Sequence, residues 1–340
     1  MNRRSFIPLF GTALVGVSCL SLNDDVKDQA YRTTKILPNR LKKGDTIGIA
    51  ASAGPIRSKK EVANFQRELE LLGYKTKLGK NIYGQEGYFS ADDVSRAEEF
   101  MELIQDDEVD AIFFIRGGWG CARLLELLDF EQIRMNPKII MGFSDITTLL
   151  NAISCKTGII TFHGPGGNST WNDYSITYIK NLLEKGEKIL YQNSSTDLVI
   201  KTYKSGNAIG ELYGGNLSVI SGLIGSKYLP DWKGKILFLE DVGEEPYRID
   251  RMLTHLRLSG VFDKLNGIVL GNFRKCTPDE PNRSFTLEEV FEQHFSVSSI
   301  PVFYGSQIGH TRNKFTVPIG SRVEINAGLG TIQLLDVVVN

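Results

Sequence analysis

The stretch KIIMGFSDI, residues 138–146, decides the fold, because a short apolar run ends here in a serine. Lys138–Phe143 predicts a buried strand, and Ile146–Lys156 has the pattern of a helix. Ser144 therefore stands at a strand-to-helix turn, which projects a hydroxyl out of the sheet beside the first N–H groups of the helix. A nucleophile is one interpretation. The hexapeptide Met141–Ile146 by itself favours a simple helix N-cap, because Ile146 replaces the last glycine of the G-x-S-x-G pattern.

Short apolar strands alternate with helical patterns on the N-terminal side of this turn. The predicted strands are Thr46–Ala51, Tyr74–Leu78 and Asp110–Ile115, and the predicted helices are Ser58–Leu72, Cys121–Leu128 and a helix capped by Ser90 that ends at Ile104. Such alternation predicts a parallel sheet covered on both faces. Residues 187–206 are polar and poorly periodic, which suggests a crossing between two domains. The half of the chain beyond them alternates less regularly.

Composition limits the classes of function. The chain has 340 residues, of which 41% are hydrophobic and 23% charged, and its 39 basic and 40 acidic residues leave a net charge of −1. No long basic run is present, so nucleic-acid binding is not expected. Cys121, Cys155 and Cys276 form no CxxC pair and no Cys/His spacing typical of a metal site, and we interpret them as buried thiols.

The first residues predict export. Arg3-Arg4-Ser5-Phe6-Ile7 is typical of a twin-arginine signal, and the apolar run Phe6–Ser18 is shorter than the about 20 residues of a spanning helix. Cys19 ends this run as the acylated cysteine of a lipoprotein would, although Gly16 replaces the usual leucine. We therefore expect an export signal at 1–19 and a tether at 20–40, with the mature protein periplasmic or lipid-anchored to a membrane through Cys19. An incidental cysteine in a cleaved signal is the alternative.

A glycine-rich loop, Arg116-Gly117-Gly118-Trp119-Gly120, directly follows the strand predicted to end at Ile115. Open α/β sheets bind ligands at this end of their strands. The loop lacks the G-x-G-x-x-G of dinucleotide sites and the Gly-Lys-Ser/Thr of phosphate loops. A tight turn and a loop that grips substrate or supplies oxyanion donors are both compatible with it.

A catalytic serine needs a base, and the base needs a carboxylate to orient it. Among the four histidines, His163 and His310 lie in loops, and local pattern does not decide between them. Glu240 and Asp241 follow the predicted strand Lys235–Leu239 in an acidic segment. A solvated loop is its default interpretation, and a metal site is weaker because no histidine accompanies the acids at ligand spacing.

Five motifs together resemble the LD-carboxypeptidase family of serine peptidases, which includes the microcin-immunity peptidases. They are RGGWG at 116–120, GFSD at 142–145, GELYGGNL at 210–217, LED at 239–241, and GH with a following Pro-x-Gly at 309–320. The resemblance implies an α/β fold with an N-terminal parallel-sheet α/β domain, at 41–190, and a second, more irregular β-rich α/β domain, at 205–340. The active site would lie between them.

The resemblance also implies the roles of individual residues. Ser144 matches the nucleophile, His310 the general base and Glu240 the residue that orients the histidine. The oxyanion hole would be formed by the backbone N–H of Asp145 and that of Gly117 or Gly118. Arg116 is a candidate to bind the product carboxylate, with a structural arginine as the alternative. Trp119 is a candidate to pack on the peptide, with a core aromatic as the safer interpretation.

The family activity implied by the resemblance is removal of terminal D-alanine from peptidoglycan stem tetrapeptides, by cleavage of the L-to-D amide and without metal or organic cofactor. An exported chain would trim such peptides outside the cytoplasm. A homodimer is compatible with the resemblance. The alternatives are a hydrolase of peptide–nucleotide conjugates, as in the microcin-immunity branch, and a non-catalytic muropeptide-binding protein.

Overall fold

A computed structural model describes residues 34–194 and 198–340. The predicted export signal at 1–19, its Cys19 and most of the predicted tether lie outside the described residues. Within the described ranges, the helices are too short or too polar to cross a bilayer.

The first sheet has six strands in the order β12-β5-β4-β3-β1-β2. Its strands are β1 (Thr46–Ala50), β2 (Lys75–Leu78), β3 (Ala111–Phe114), β4 (Ile139–Gly142), β5 (Thr161–His163) and β12 (Val317–Ile319). The first five pair in parallel. Strands β1, β3, β4 and β5 are almost entirely buried because helices cover the sheet, while the edge strand β2 is partly exposed. β12 comes from the C-terminal half and pairs antiparallel with β5, which the sequence pattern did not predict.

Five helices accompany this sheet: α1 (Lys59–Leu71), α2 (Asp93–Gln105), α3 (Phe130–Met135), α4 (Thr147–Thr157) and α5 (Asp173–Ile179). Two predictions are wrong here. Asp92, not Ser90, caps α2 by accepting from the Ser95 N–H, while the Ser90 hydroxyl donates to the Ala51 carbonyl. The helix predicted at Cys121–Leu128 is only a 3₁₀ turn, Cys121–Leu124, which begins after a left-handed Gly120.

The second sheet has eight strands in the order β6-β14-β13-β8-β9-β10-β11-β7. They are β6 (Leu190–Tyr191), β7 (Lys201–Lys204), β8 (Asn207–Asn216), β9 (Ile236–Val242), β10 (Gly267–Arg274), β11 (Val302–Gly309), β13 (Arg322–Asn326) and β14 (Thr331–Leu334). The central strands β8 to β11 are parallel and the outer ones antiparallel. Helices α6 (Leu217–Leu223), α7 (Pro246–Leu258) and α8 (Leu287–Phe295) complete this half. The predicted α/β fold is confirmed.

Helix α4 joins the two sheets. The Asn151 side chain donates to the Gly214 carbonyl at 2.8 Å and accepts from the Gly214 N–H at 3.2 Å. The Thr147 hydroxyl accepts from the Asn216 N–H at 3.1 Å. Because these groups are buried, each bond also removes the cost of an unsatisfied polar atom. The contacts hold the end of β4 against the ends of β8 and β9, where the functional side chains lie.

Candidate active site

Ser144 adopts a backbone conformation that side chains avoid. Its φ is +62°, and the only other described non-glycine residue with a positive φ is Lys275. This region costs roughly 1–2 kcal/mol for an L-residue, so the surrounding structure must impose it. Phe143 is the N-cap of the 3₁₀ turn Ser144–Ile146, and Ile146 is that of α4. The N-cap interpretation of Ser144 is therefore wrong, and the strained turn is that of a nucleophile elbow.

The glycine-rich loop lies directly against Ser144. A Cβ built on Gly117 would stand 2.8 Å from the Cβ of Ser144, 2.9 Å from its Oγ and 3.2 Å from the Asp145 nitrogen. The Asp145 carboxylate accepts from the Cys121 N–H at 2.8 Å and so ties the end of the loop to the serine turn. Burial raises the pKa of the Asp145 carboxyl, which the hydrogen bond from Cys121 partly offsets. The loop thus reaches the serine only because position 117 has no side chain.

Glu240 and His310 form a close pair at the ends of β9 and β11. The His310 ring Nδ1 lies 2.6 Å from Glu240 Oε2, and the His310 backbone N–H donates to the same oxygen at 3.1 Å. A Cβ on Gly309, whose φ is +95°, would overlap the Glu240 carboxylate, so this approach requires glycine. Burial alone would raise the pKa of Glu240, but the charge of and hydrogen bond from His310 hold it below its usual value. Glu240 therefore stays ionised beside the imidazole.

Both histidines left open by the sequence pattern lie near Glu240. His163 Nε2 is 3.9 Å from Glu240 Oε1, on the side opposite His310. His163 is 1% exposed, and burial lowers its pKa to about 4. His310 lines the same cleft as Ser144, and its ring centroid is 4.8 Å from that of Phe143, the residue before Ser144. Only His310 is placed to exchange a proton with a substrate.

The serine and the histidine open into one cleft of about 760 Å³. It is lined by Gly117, Gly118, Phe143, Ser144, Asn168, Ser169, Thr170, Val242, Asn272, His310 and Thr311, together with five cationic side chains: Arg57, Arg116, Arg274, Arg312 and Lys314. No aspartate or glutamate is among these lining residues, and none of the five cations pairs with a described carboxylate. A cleft with this charge selects anionic ligands.

Two of these cations are held in place by the wall of the cleft. Arg116 donates to the Pro55 carbonyl at 2.8 Å, while its buried Nε has no partner among the described residues. Burial and the neighbouring Arg57 lower the pKa of Arg116. Lys314 is 4% exposed, its Nζ lies 3.3 Å from the Ser169 hydroxyl and 4.2 Å from the Phe143 ring centroid, and burial lowers its pKa to about 8.

The structure brings most, but not all, of the predicted site residues together. Ser144, His310, Gly117, Gly118 and Arg116 share the cleft, and Glu240 lies behind His310. The core interpretation of Trp119 is wrong, since it is 54% exposed and packs edge-on against Tyr88; a role in substrate binding stays a prediction. Which N–H groups form the oxyanion hole likewise stays a prediction.

The solvated acidic loop at 240–241 is a wrong prediction. Glu240 is fully buried and Asp241 is 2% exposed. Asp241 accepts from the Asn216 side chain at 3.0 Å and from the Ser218 N–H at 2.9 Å, at the start of α6. Its pKa is raised to about 6, mainly by burial and to a smaller extent by the charge of Glu240. Sequence reasoning also missed Lys314 and Asn272. The Asn272 side chain donates to the His310 carbonyl at 3.2 Å. Neither has a local pattern that could have revealed it.

Gly117→Ala is expected to abolish turnover while the protein stays folded, because the new methyl group would occupy the space next to the Ser144 hydroxyl and the Asp145 nitrogen. We expect kcat to fall by roughly 100-fold or more, as for a lost oxyanion donor. The matched control is Gly222→Ala in α6, where a Cβ meets no atom within 4 Å and helix propensity favours alanine. Equal activity of the two variants would contradict the placement of the loop.

Comparisons with known proteins identify the family of the chain. Residues 47–164 match the LD-carboxypeptidase N-terminal domain, and residues 209–325 match the LD-carboxypeptidase C-terminal domain. The chain is 38% identical to the probable murein peptide carboxypeptidase of Bacillus subtilis, over 85% of this chain and 91% of that protein. It is 32% identical to the microcin C7 self-immunity protein MccF of Escherichia coli, over 86% of this chain and 93% of that protein.

Solved structures agree as well. The structure of MccF without ligand superposes with a TM-score of 0.83 at 28% identity, covering 90% of this chain and 100% of that one. A muramoyltetrapeptide carboxypeptidase from Oxalobacter formigenes gives a TM-score of 0.74 at 28% identity, covering 85% and 97%. Fold and sequence together place the chain in a family of α/β carboxypeptidases and their relatives. The chain belongs to the LD-carboxypeptidase family.

Proposed function

We propose that this protein is a serine-type LD-carboxypeptidase that releases terminal D-alanine from peptidoglycan stem tetrapeptides. The observation that carries the proposal is the shared cleft. It contains Ser144 in a strained backbone conformation, His310 bonded to Glu240, and five cationic side chains, and no aspartate or glutamate lines it. Relatives named murein peptide carboxypeptidase and murein tetrapeptide carboxypeptidase support the same substrate class.

The mechanism follows from the roles of three side chains. His310 accepts the proton of the Ser144 hydroxyl as its oxygen attacks the scissile carbonyl carbon. Glu240, ionised and bonded to Nδ1, holds the imidazole with Nε2 available and stabilises its charged form. Backbone N–H groups beside Ser144 would stabilise the oxyanion of the tetrahedral intermediate. His310 then protonates the departing amine, and a water molecule, activated in the same way, hydrolyses the acyl-enzyme.

The charge of the cleft explains why the enzyme would act at a carboxyl terminus. A terminal D-amino acid brings a carboxylate next to the scissile bond. Arginine matches a carboxylate with two parallel N–H groups, and Arg116 is the first residue of the glycine-rich loop, with its Nε unpartnered among the described residues. An internal peptide bond offers no such group, so binding there would leave buried positive charge uncompensated.

The test is incubation of the full chain with a stem tetrapeptide, followed by mass spectrometry. We expect loss of one alanine, and no reaction of the same peptide with an amidated C-terminus, which lacks the carboxylate but keeps the scissile bond. Hydrolysis of an aminoacyl-nucleotide conjugate but not of the tetrapeptide would select the peptide–nucleotide alternative. Tight binding of the tetrapeptide without cleavage would select a non-catalytic binding protein.

Lys314 predicts a pH dependence of substrate binding. Its amine is protonated below its pKa of about 8 and neutral above it, because burial disfavours the charged form. The cleft therefore loses one positive charge as the pH rises through this value, and KM for the anionic tetrapeptide should increase by roughly tenfold, the worth of one charge-assisted contact. Lys314→Met should show a high KM at every pH. A KM of the unmodified protein that stays constant from pH 6 to pH 10 would contradict this role.

For location, we infer that the protein is exported and is either periplasmic or anchored to a membrane through a lipid on Cys19. The basic start, the short apolar run and the cysteine at its end support the inference. Incorporation of labelled palmitate into the full chain, and its loss in Cys19→Ala, would test it. An unlabelled but secreted protein would indicate simple cleavage of the signal.

A further inference from the structure

Two buried polar atoms face each other without partners behind the catalytic pair. They are His163 Nε2 and Glu240 Oε1, which lie 3.9 Å apart and make no hydrogen bond with any described residue. Both residues are at most 1% exposed. An orphaned buried polar atom is costly, and here one of the two belongs to an ionised carboxylate. The proposed mechanism uses only the other oxygen, Oε2.

We propose that His163 is a positioning residue for Glu240, with its Nε2–H directed at Oε1 while His310 holds Oε2. The proposal rests on the catalytic roles given above. A carboxylate oxygen only accepts, so the ring nitrogen that faces it must carry the proton. At 3.9 Å the interaction is that of an N–H dipole with a charge rather than a full hydrogen bond, and it is strengthened by the low dielectric of the buried site.

The fold explains why His163 occupies this place. His163 is the last residue of β5 and pairs with Gly142 of β4, two positions before the nucleophile. Its ring packs edge-on against Phe238 of β9, the strand that carries Glu240, with centroids 5.2 Å apart. His163 therefore links the strand next to Ser144 with the strand of the orienting acid. It fixes the carboxylate from behind, so that Oε2 points towards His310.

Neutrality suits His163 to this task. Burial lowers its pKa to about 4, so the ring stays an uncharged donor at neutral pH. The other titratable or charged groups around Glu240 are His310 on Oε2, Asp241 next along β9 and Lys314, with Arg274 facing Lys314. None of them supplies a hydrogen bond to Oε1. Removing His163 would leave Oε1 without any donor, and the Glu240–His310 pair would then hold a proton more strongly.

The experiment compares His163→Leu, which has no donor, with His163→Gln, whose amide keeps an N–H. The readout is the pH profile of kcat/KM for alanine release from the tetrapeptide by the full chain. For His163→Leu we expect kcat to fall by about 10- to 100-fold and the acid limb to move to higher pH, because the pair must lose its proton before His310 can act as base. His163→Gln should retain most of kcat and the original limb. An unshifted limb in His163→Leu would overturn the proposal.

A second measurement depends neither on a His163 variant nor on activity. Nitrogen-15 labelling of the four histidines in full-length Ser144→Ala protein reports which ring nitrogen of His163 carries the proton. We expect Nε2–H with a bare Nδ1 from pH 6 to pH 8, and the Nδ1–H tautomer would overturn the proposal. Failure to cleave the tetrapeptide would contradict the proposed function but would not change the tautomer of His163. The failure of the proposed function and the failure of this inference are therefore distinguishable.

Discussion

Ser144→Ala is expected to eliminate alanine release from the tetrapeptide, with kcat reduced on the order of 10⁴-fold or more. The substitution removes only the hydroxyl oxygen, and the cleft, its cations and the His310–Glu240 pair stay in place. KM, or the Kd of the tetrapeptide measured by calorimetry, should therefore change little. The measurement is single-turnover release of alanine, scored by mass.

The strained backbone of Ser144 supplies the control. Ser144→Gly lacks the hydroxyl as well, but it also removes the Cβ that disfavours a φ of +62°. We expect this variant to be equally inactive and no less stable to heat than Ser144→Ala. Cleavage at the normal rate by either variant would show that another group is the nucleophile.

Glu240→Gln is expected to reduce kcat by roughly 10³- to 10⁴-fold with little change in KM. The amide keeps the size of the carboxylate but has no charge to stabilise the imidazolium. Its NH₂ group can also face His310 Nδ1 and favour the wrong tautomer. Steady-state kinetics near neutral pH, with thermal unfolding to confirm the fold, provide the measurement.

Asp241→Asn is the matched control for this prediction. Asp241 is the next residue of β9 and is also buried, but its carboxylate accepts from Asn216 and Ser218 at the start of α6 instead of from a histidine. This variant should lose thermal stability and keep most of kcat. Equal losses of kcat in the two variants would mean that the acidic segment acts only through the fold.

The strands β1, β3 and β4 of the first sheet could be predicted because each is a continuous apolar run, as in Asp110–Ile115 and Lys138–Phe143. Strand β2 was predicted from alternation instead. Local pattern also located Ser144 at its turn, but it favoured an N-cap because φ is not visible in a hexapeptide. The edge strand β12 was missed because Val317–Ile319 is too short to show periodicity, and its partner β5 lies nearly half of the chain away in sequence.

The partners of Ser144 could not be derived from local pattern. Whether His163 or His310 reaches the cleft depends on how the second sheet packs against the first, and the family resemblance, not spacing, selected His310. Glu240 and Asp241 looked solvated because acids cluster at 240–245, yet the strand β9 carries both of them into the interior. Burial of a charge depends on distant partners such as His310 and Ser218, which a short window does not contain.

The docking of α4 onto β8 has a consequence for the proposed activity. The serine belongs to one half of the chain, while the acid and the base proposed to activate it belong to the other. The bonds of Thr147 and Asn151 to β8, together with the pairing of β12 with β5, hold the two halves against each other. Before the two halves pack together, the Ser144 hydroxyl has no base beside it and is a poor nucleophile. The proposed activity therefore requires both halves of the chain to be folded and packed together.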